Sequence, residues 1–170
     1  MNARIQAWLD QEDARITSVI RRHGWAIEYI GGGCCSAPGC DGGGDGDDGP
    51  PFAYTVGLFG LGHPELLAFG LDPETTARLF NTVGDRIRDD DTLIPGHMIT
   101  FGAEWDHRVV PETVPNPGEI VFSANRFYQR PAEFSVPVLQ LSYDDLRGRF
   151  PWDDDFTDAE LQPRPGTFRA

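Results

Sequence analysis

Hydrophobic residues recur at three- and four-residue steps in two stretches of the chain, a pattern that predicts two amphipathic helices. The stripe of the first consists of Ile5, Trp8, Leu9, Ile16, Val19 and Ile20. Basic residues at 21–23 and the following Gly24 favour an end there. The second helix is predicted to begin after Asp72, which suits the capping position, and to continue to about Arg88.

Shorter runs of β-branched, aromatic and aliphatic residues predict strands. These runs lie at 25–30, 52–59, 66–71, 97–102, 107–111, 119–124 and 136–144, and a brief helix is expected at 124–130. Helices and strands do not alternate regularly enough for a doubly wound parallel sheet. We therefore predict an α+β fold in which a mainly antiparallel sheet packs with an N-terminal and a central amphipathic helix.

The length of 170 residues suits a single domain spanning residues 1–170. Residues 31–51, GGGCCSAPGCDGGGDGDDGPP, offer almost nothing that packs in a core, which predicts a flexible loop between two strands. Its cysteines, Cys34, Cys35 and Cys40, do not have the spacing of a zinc pair. A structural role is favoured for them, while a metal site and a redox switch stay open as alternatives.

The charge of the chain narrows the classes of function. The chain has 14 basic residues, all arginine, and 27 acidic residues, which gives a net charge of −13. Such a surface repels phosphate backbones, so we expect no nucleic-acid partner. The lack of lysine excludes Schiff-base and P-loop chemistry. No apolar run suits a bilayer and the start has no secretory pattern, so we expect a cytoplasmic protein without a membrane partner.

The segment GHPEL at 62–66 offers the first candidate chemistry. Pro64 favours an extended or turning backbone, so His63 and Glu65 can face the same way. A histidine oriented by a carboxylate is the minimum for general acid–base work or half of a metal site. The alternative is that His63 caps a turn while Glu65 lies in solvent.

A second candidate region is LQLSYDDLRGRFPWDDDF at 139–156. Gln140 lies in its predicted strand, Asp145 enters a turn, and Phe150 and Trp152 flank a proline. An acid followed by two aromatic residues can form the wall of a pocket. The same aromatic residues can equally clamp the C-terminal segment onto the core.

These segments come in an order that resembles a known family. GW at 24–25, FAYTVGL at 52–58, HPEL at 63–66 and FPW at 150–152 are similar to the bacterial and phage family called domain of unknown function 4262, over about residues 20–165. The resemblance implies no established activity. It marks as recurring positions Tyr54, Thr55, Gly57, His63, Glu65, Gln140, Asp145, Phe150, Pro151 and Trp152. The 31–51 loop departs from the family pattern, which argues against a shared role for the cysteines.

Two functions follow as expectations. The first is a soluble binding or regulatory interaction protein with a rigid face, whose binding residues are Tyr54, Thr55, Gln140, Phe150 and Trp152. The alternative is a small hydrolase or metal-assisted enzyme that uses His63, Glu65 and Asp145. Both require Tyr54, His63, Glu65, Asp145 and Trp152 to meet on one concave face. The sequence identifies neither the partner, nor a cofactor, nor the oligomeric state.

Overall fold

The computed structural model describes residues 2–31 and 49–170. Within these ranges the helices and strands follow one another as α1 (Ala3–His23), β1 (Ala26–Ile30), β2 (Phe52–Val56), β3 (Glu65–Phe69), α2 (Pro73–Arg88), β4 (Val109–Thr113), α3 (Phe122–Phe127) and β5 (Val138–Tyr143). The cysteines and most of the predicted 31–51 loop lie outside the described residues.

The five strands form one sheet in the order β1-β2-β3-β5-β4. Strand β1 pairs antiparallel with β2, β2 with β3, and β4 with β5, whereas β3 and β5 run parallel. A parallel pair needs a long connection, and here α2, β4 and α3 lie between the two strands. The predicted α+β fold with a mainly antiparallel sheet is confirmed.

Each face of the sheet is covered by helices, and the alternation of side chains along the strands divides the core in two. On one face, Leu66 and Ala68 of β3 pack with Phe80 and Val83 of α2. On the other face, Leu67 and Phe69 pack with α1, α3 and Phe168 of the C-terminal segment. Strand β3 is therefore buried on both sides, which agrees with its continuous apolar sequence.

The helix ends follow the capping chemistry expected from the sequence. The Asn2 side chain accepts a hydrogen bond from the Arg4 amide, and Gly24 ends α1 with a left-handed φ of 99°. Asp72 caps α2 by accepting a hydrogen bond from the Thr75 amide, and Pro73 occupies its first turn. Both predicted helices are confirmed.

Several predicted strands have other bounds or do not form. The run at 52–59 ends as β2 at Val56, because Gly57 adopts a φ of 138° and turns the chain. The run at 97–102 makes only one isolated bridge, between Ile99 and Val109. The run at 119–124 was predicted wrongly as a strand: it leaves a 3-10 turn and enters α3. Its apolar residues Ile120, Val121 and Ala124 have helical spacing and pack in the core.

Candidate functional site

The turn between β2 and β3 is organised around the carboxylate of Glu65. This side chain, fully buried, accepts hydrogen bonds from the Thr55 hydroxyl at 2.6 Å and from the backbone N–H groups of Gly57, Leu58 and Phe59 at 2.8, 3.2 and 3.1 Å. Thr55 Oγ1 in turn accepts the N–H of Leu66 at 2.9 Å. The four donors fill the sites that a carboxylate offers, so Glu65 holds the turn in place.

Gly57 is needed for this arrangement. A Cβ at this position would lie 2.7 Å from the Cα of Trp25, and its φ of 138° disfavours other residues. The close approach lets the following N–H groups converge on the carboxylate. The sequence feature YTVGL is thereby explained by the backbone around Glu65.

The electrostatics of Glu65 are set by two opposing effects. Burial disfavours the charged form and raises the pKa of Glu65 from an ordinary 4.5 to about 7, while the bonds from Thr55, Gly57, Phe59 and Leu58 lower it. Burial is the larger effect. The carboxyl group therefore titrates near neutral pH without contact with solvent.

His63 lies in the same turn but is not paired with Glu65. Its side chain is 6% exposed, and its Nδ1 is 2.7 Å from the carbonyl oxygen of Pro64. Because a carbonyl only accepts, Nδ1 carries the proton, and the buried Nε2 is left without a partner among the described residues. Burial also lowers the pKa of His63, which favours the neutral ring. The predicted His–Glu pair, with the carboxylate orienting the ring, does not form.

Asp145 lies at the other end of the sheet. Glu65 is opposite Val138 in the parallel β3–β5 pair, and β5 then runs about 17 Å to Tyr143 before Asp145 begins the next turn. Its carboxylate accepts the N–H groups of Arg147 and Arg149 at 2.8 and 2.9 Å, which close the turn and lower the pKa of Asp145. The structure does not bring the three residues predicted as catalytic together, so the expected common face is not formed.

The predicted binding residues of the strands are buried in the sheet. Tyr54 accepts the N–H of Ser123 through its hydroxyl at 3.1 Å, and Gln140 donates from Nε2 to the carbonyl of Pro163 at 2.8 Å. Thr55 is bonded to Glu65 as described. These side chains hold α3, the C-terminal segment and the β2–β3 turn against the sheet.

Phe150 and Trp152 form an aromatic stack at the end of the sheet that also holds Asp145. Their ring centroids are 4.6 Å apart and the ring planes differ by 3°. The guanidinium carbons of Arg108 and Arg164 lie 5.5 and 5.2 Å from the centroids of Phe150 and Trp152, respectively. Phe150 is buried, whereas Trp152 keeps 41% of its surface exposed. The stack is therefore packed on one side and accessible on the other.

This stack forms one wall of a groove of about 550 Å³ over β4, which we call the aromatic groove. The residues that line it are Gly96, Met98, Arg108, Val110, Glu112, Gly148, Phe150, Trp152 and Asp153. Strand alternation brings residues 108, 110 and 112 to the same face of β4, with Val110 between the two charged residues. Met98, 50% exposed, belongs to the segment that carries the bridge to β4.

The cations of the aromatic groove are neutralised by neighbouring acids. Arg108 Nε donates to the buried Asp144 at 2.7 Å, and Arg164 donates to Glu112 at 2.9 Å. Glu112 also accepts the hydroxyl hydrogen of Ser142 at 2.7 Å. The groove therefore presents an apolar patch framed by ion pairs, with little net charge at its floor.

The sequence did not point to Met98, Arg108, Val110 or Glu112 as groove residues. Their signal is the alternation of residues 108, 110 and 112, which becomes visible only when the strand is taken to continue to Thr113 rather than to end at Pro111. Met98 has no such signal because it lies in an irregular segment. Its position follows from the bridge between Ile99 and Val109.

Across residues 2–31 and 49–170, no three His, Cys, Asp or Glu side chains are grouped closely enough to hold a metal ion. In the same part of the chain, no helix has the length and apolar character needed to cross a bilayer.

A protein-family model matches most of the chain. The model of the family described as Domain of unknown function (DUF4262) matches residues 19–157. No curated protein and no solved structure matches the chain. The matched range includes the Glu65 turn, the aromatic stack and all five strands.

Proposed function

We propose that this chain, which belongs to the DUF4262 family, is a binding protein that receives an apolar side chain of a protein partner in the aromatic groove. The observation that carries the proposal is the Phe150–Trp152 stack, which is fixed on one side and exposed on the other. A tryptophan held in place before binding loses little conformational entropy when a partner arrives. Tryptophan is also enriched among the residues that dominate binding energy.

The chemistry of the groove supports a neutral apolar group as the bound element. Met98 and Trp152 are both partly exposed and line the groove with Val110, and methionine adapts to different apolar shapes. Arg108 and Arg164 already have carboxylate partners, so a charged ligand would have to compete with existing ion pairs. The rim of ion pairs matches the polar border of protein interfaces.

The experiment is a selection on the wild-type protein from a random peptide library displayed on phage, followed by affinity measurements on the Trp152→Ala protein. We expect enriched peptides to share an apolar anchor residue and to bind Trp152→Ala at least about tenfold more weakly, because a central tryptophan contributes well over 1 kcal/mol. In heteronuclear NMR they should shift the Trp152 indole and the amides of Gly148 and Asp153.

The matched control is Phe134→Ala, which removes another exposed aromatic residue, 70% accessible and outside the groove. It should leave peptide binding unchanged. Peptides that bind wild type and Trp152→Ala equally, or that shift no groove amide, would contradict the proposal. Circular dichroism of Trp152→Ala establishes that the fold is intact.

A further inference from the structure

Strand β1 is at the edge of the sheet, and β2 is its only neighbour among the described strands. In an antiparallel pair, alternate residues direct their N–H and C=O groups away from the partner strand. Within residues 2–31 and 49–170, no hydrogen bond reaches the backbone of 26–30 from the outer side. Among the described residues, the backbone groups on the outer edge of β1 are therefore unused donors and acceptors.

This edge lies between two helices. Its start opens into a depression of about 550 Å³ whose walls come from the C-terminal part of α1 and from α2. The depression is lined by Val19, Arg22, His23, Trp25, Ile27, Asn81, Asp85 and Arg88. The half-buried side chains of Ile27 and Val19 give it an apolar base. We call this depression the recess.

The recess is locally cationic although the chain carries a net charge of −13. Its lining carries two arginines, Arg22 and Arg88, and one acid, Asp85, which is bonded to Arg88. Arg22 is exposed and forms no ion pair with any residue that the structure describes. The partial negative charge of the helix C-termini is small beside these formal charges.

We propose that β1 binds the C-terminal segment of a partner protein, which adds to the sheet as a further antiparallel strand. Antiparallel addition brings the end of the incoming segment to the start of β1, where Arg22 and His23 complete α1. The terminal carboxylate then lies in the cationic recess. The backbone groups of β1 supply affinity, and the arginine selects a free chain end.

Charge disfavours a second copy of this chain as the occupant. Two antiparallel β1 strands centred on Glu28 would bring two glutamates face to face, and like charges in that position destabilise a strand pair. Glu28 already binds Arg15 of its own chain at 2.6 Å. Two chains with a net charge of −13 each also repel one another.

The test uses a library of short synthetic peptides with free C-terminal carboxylates, immobilised through their N-termini. Three forms of each binding peptide are then compared in solution: the free acid, the C-terminal amide, and peptides N-methylated at alternate backbone positions. We expect the amide to bind about tenfold more weakly, as for loss of one charge-assisted hydrogen bond. Peptides methylated at one alternating set of backbone nitrogens should not bind, whereas peptides methylated at the other set should bind. The reason is that only one set of N–H groups faces β1.

Matched variants separate the recess from the general charge. Arg22→Ala should weaken the free acid about tenfold and leave the amide unchanged, since one ionic contact is lost. Arg21→Ala, an equally exposed neighbour outside the recess, should change neither. Trp152→Ala should bind like the wild type, so that this result is independent of the aromatic groove.

Several results would overturn the proposal: no library peptide binds, both methylated sets bind alike, or Arg21→Ala and Arg22→Ala have equal effects. A dimer in sedimentation equilibrium that Ile27→Arg dissociates would assign the edge to a second copy instead. Protection of the β1 amides from hydrogen exchange by the free acid is the direct supporting observation.

Discussion

Replacing Glu65 by glutamine tests whether the carboxyl group titrates near neutral pH inside the β2–β3 turn. The substitution keeps the shape of the side chain but removes its proton exchange. In the native turn, four donors point at the two carboxylate oxygens. An amide offers one oxygen for them and turns its own NH2 group toward the rest.

The magnitude follows from the number of donors left without an acceptor. At pH 5 the wild-type group is protonated, and its two oxygens still accept most of the four bonds, whereas the amide of Glu65→Gln leaves at least one further buried donor unpaired. A buried unpaired polar group costs about 1–3 kcal/mol. We therefore expect Glu65→Gln to be about 2 kcal/mol less stable than the wild type at pH 5.

The pH dependence has a defined sign. Burial raises the pKa of Glu65 from 4.5 to about 7, so the folded protein binds more protons than the unfolded chain within this interval. The contribution of Glu65 to stability is complete below pH 4.5 and is lost as the pH rises through 7. The loss amounts to about 3 kcal/mol, at 1.36 kcal/mol for each pKa unit. At pH 8 the Glu65→Gln protein should equal or slightly exceed the wild type in stability.

The assay is urea unfolding followed by tryptophan fluorescence at pH 5, 6, 7 and 8. Taking the difference between wild type and Glu65→Gln cancels the titration of all other groups. The control is Glu160→Gln, an exposed residue whose substitution should change stability by less than about 0.5 kcal/mol at every pH. If the gap between wild type and Glu65→Gln widens from pH 5 to pH 8, the four hydrogen bonds outweigh burial and the reasoning is refuted.

Two further substitutions test the packing around the recess beside β1 and around the aromatic groove. Gly84→Ala places a Cβ 2.5 Å from the Trp25 ring and should lower the free energy of unfolding by about 2 kcal/mol; unchanged thermal unfolding would show that the indole moves freely. Asp144→Asn puts an NH2 group in place of one carboxylate oxygen beside Arg108, whose side chain is 39% exposed, and should cost about 2 kcal/mol by the same measurement. Asp158→Asn is the exposed control, and equal effects of the two asparagine variants would disprove a contribution of the Arg108–Asp144 ion pair.

Local chemistry made the helices predictable. Asp72 with Pro73 and the stripe of α2 specify a helix start and a buried face without reference to the rest of the chain. The strands were harder, because Ile120, Val121 and Ala124 are apolar enough for either state, and their helical packing depends on the residues around them. Glu65 extends β3 by one residue beyond the apolar run because its side chain is satisfied within the turn.

The candidate site was only partly predictable, for a related reason. The sequence shows that His63 and Glu65 are close along the chain, but their hydrogen-bond partners depend on the folded structure. His63 contacts the carbonyl of Pro64, whereas Glu65 accepts the N–H groups of residues 57–59. The distance from Glu65 to Asp145 depends on the parallel register of β3 and β5. That register becomes apparent only once the sheet is assembled.

The position of Glu65 explains why a fully buried acidic residue occurs at the β2–β3 turn. Three consecutive amides, Gly57 to Phe59, need acceptors after β2 ends, and no strand is available to supply them. A single carboxylate satisfies all three and bonds Thr55, so the residue before Leu66 ties both strands together. Because burial raises the pKa of Glu65 to about 7, its carboxyl group is mostly charged only above pH 7. Glu65, which the sequence offered as a catalytic candidate, thus stabilises the sheet. The edges of that sheet, β1 and β4, carry the two binding surfaces proposed above.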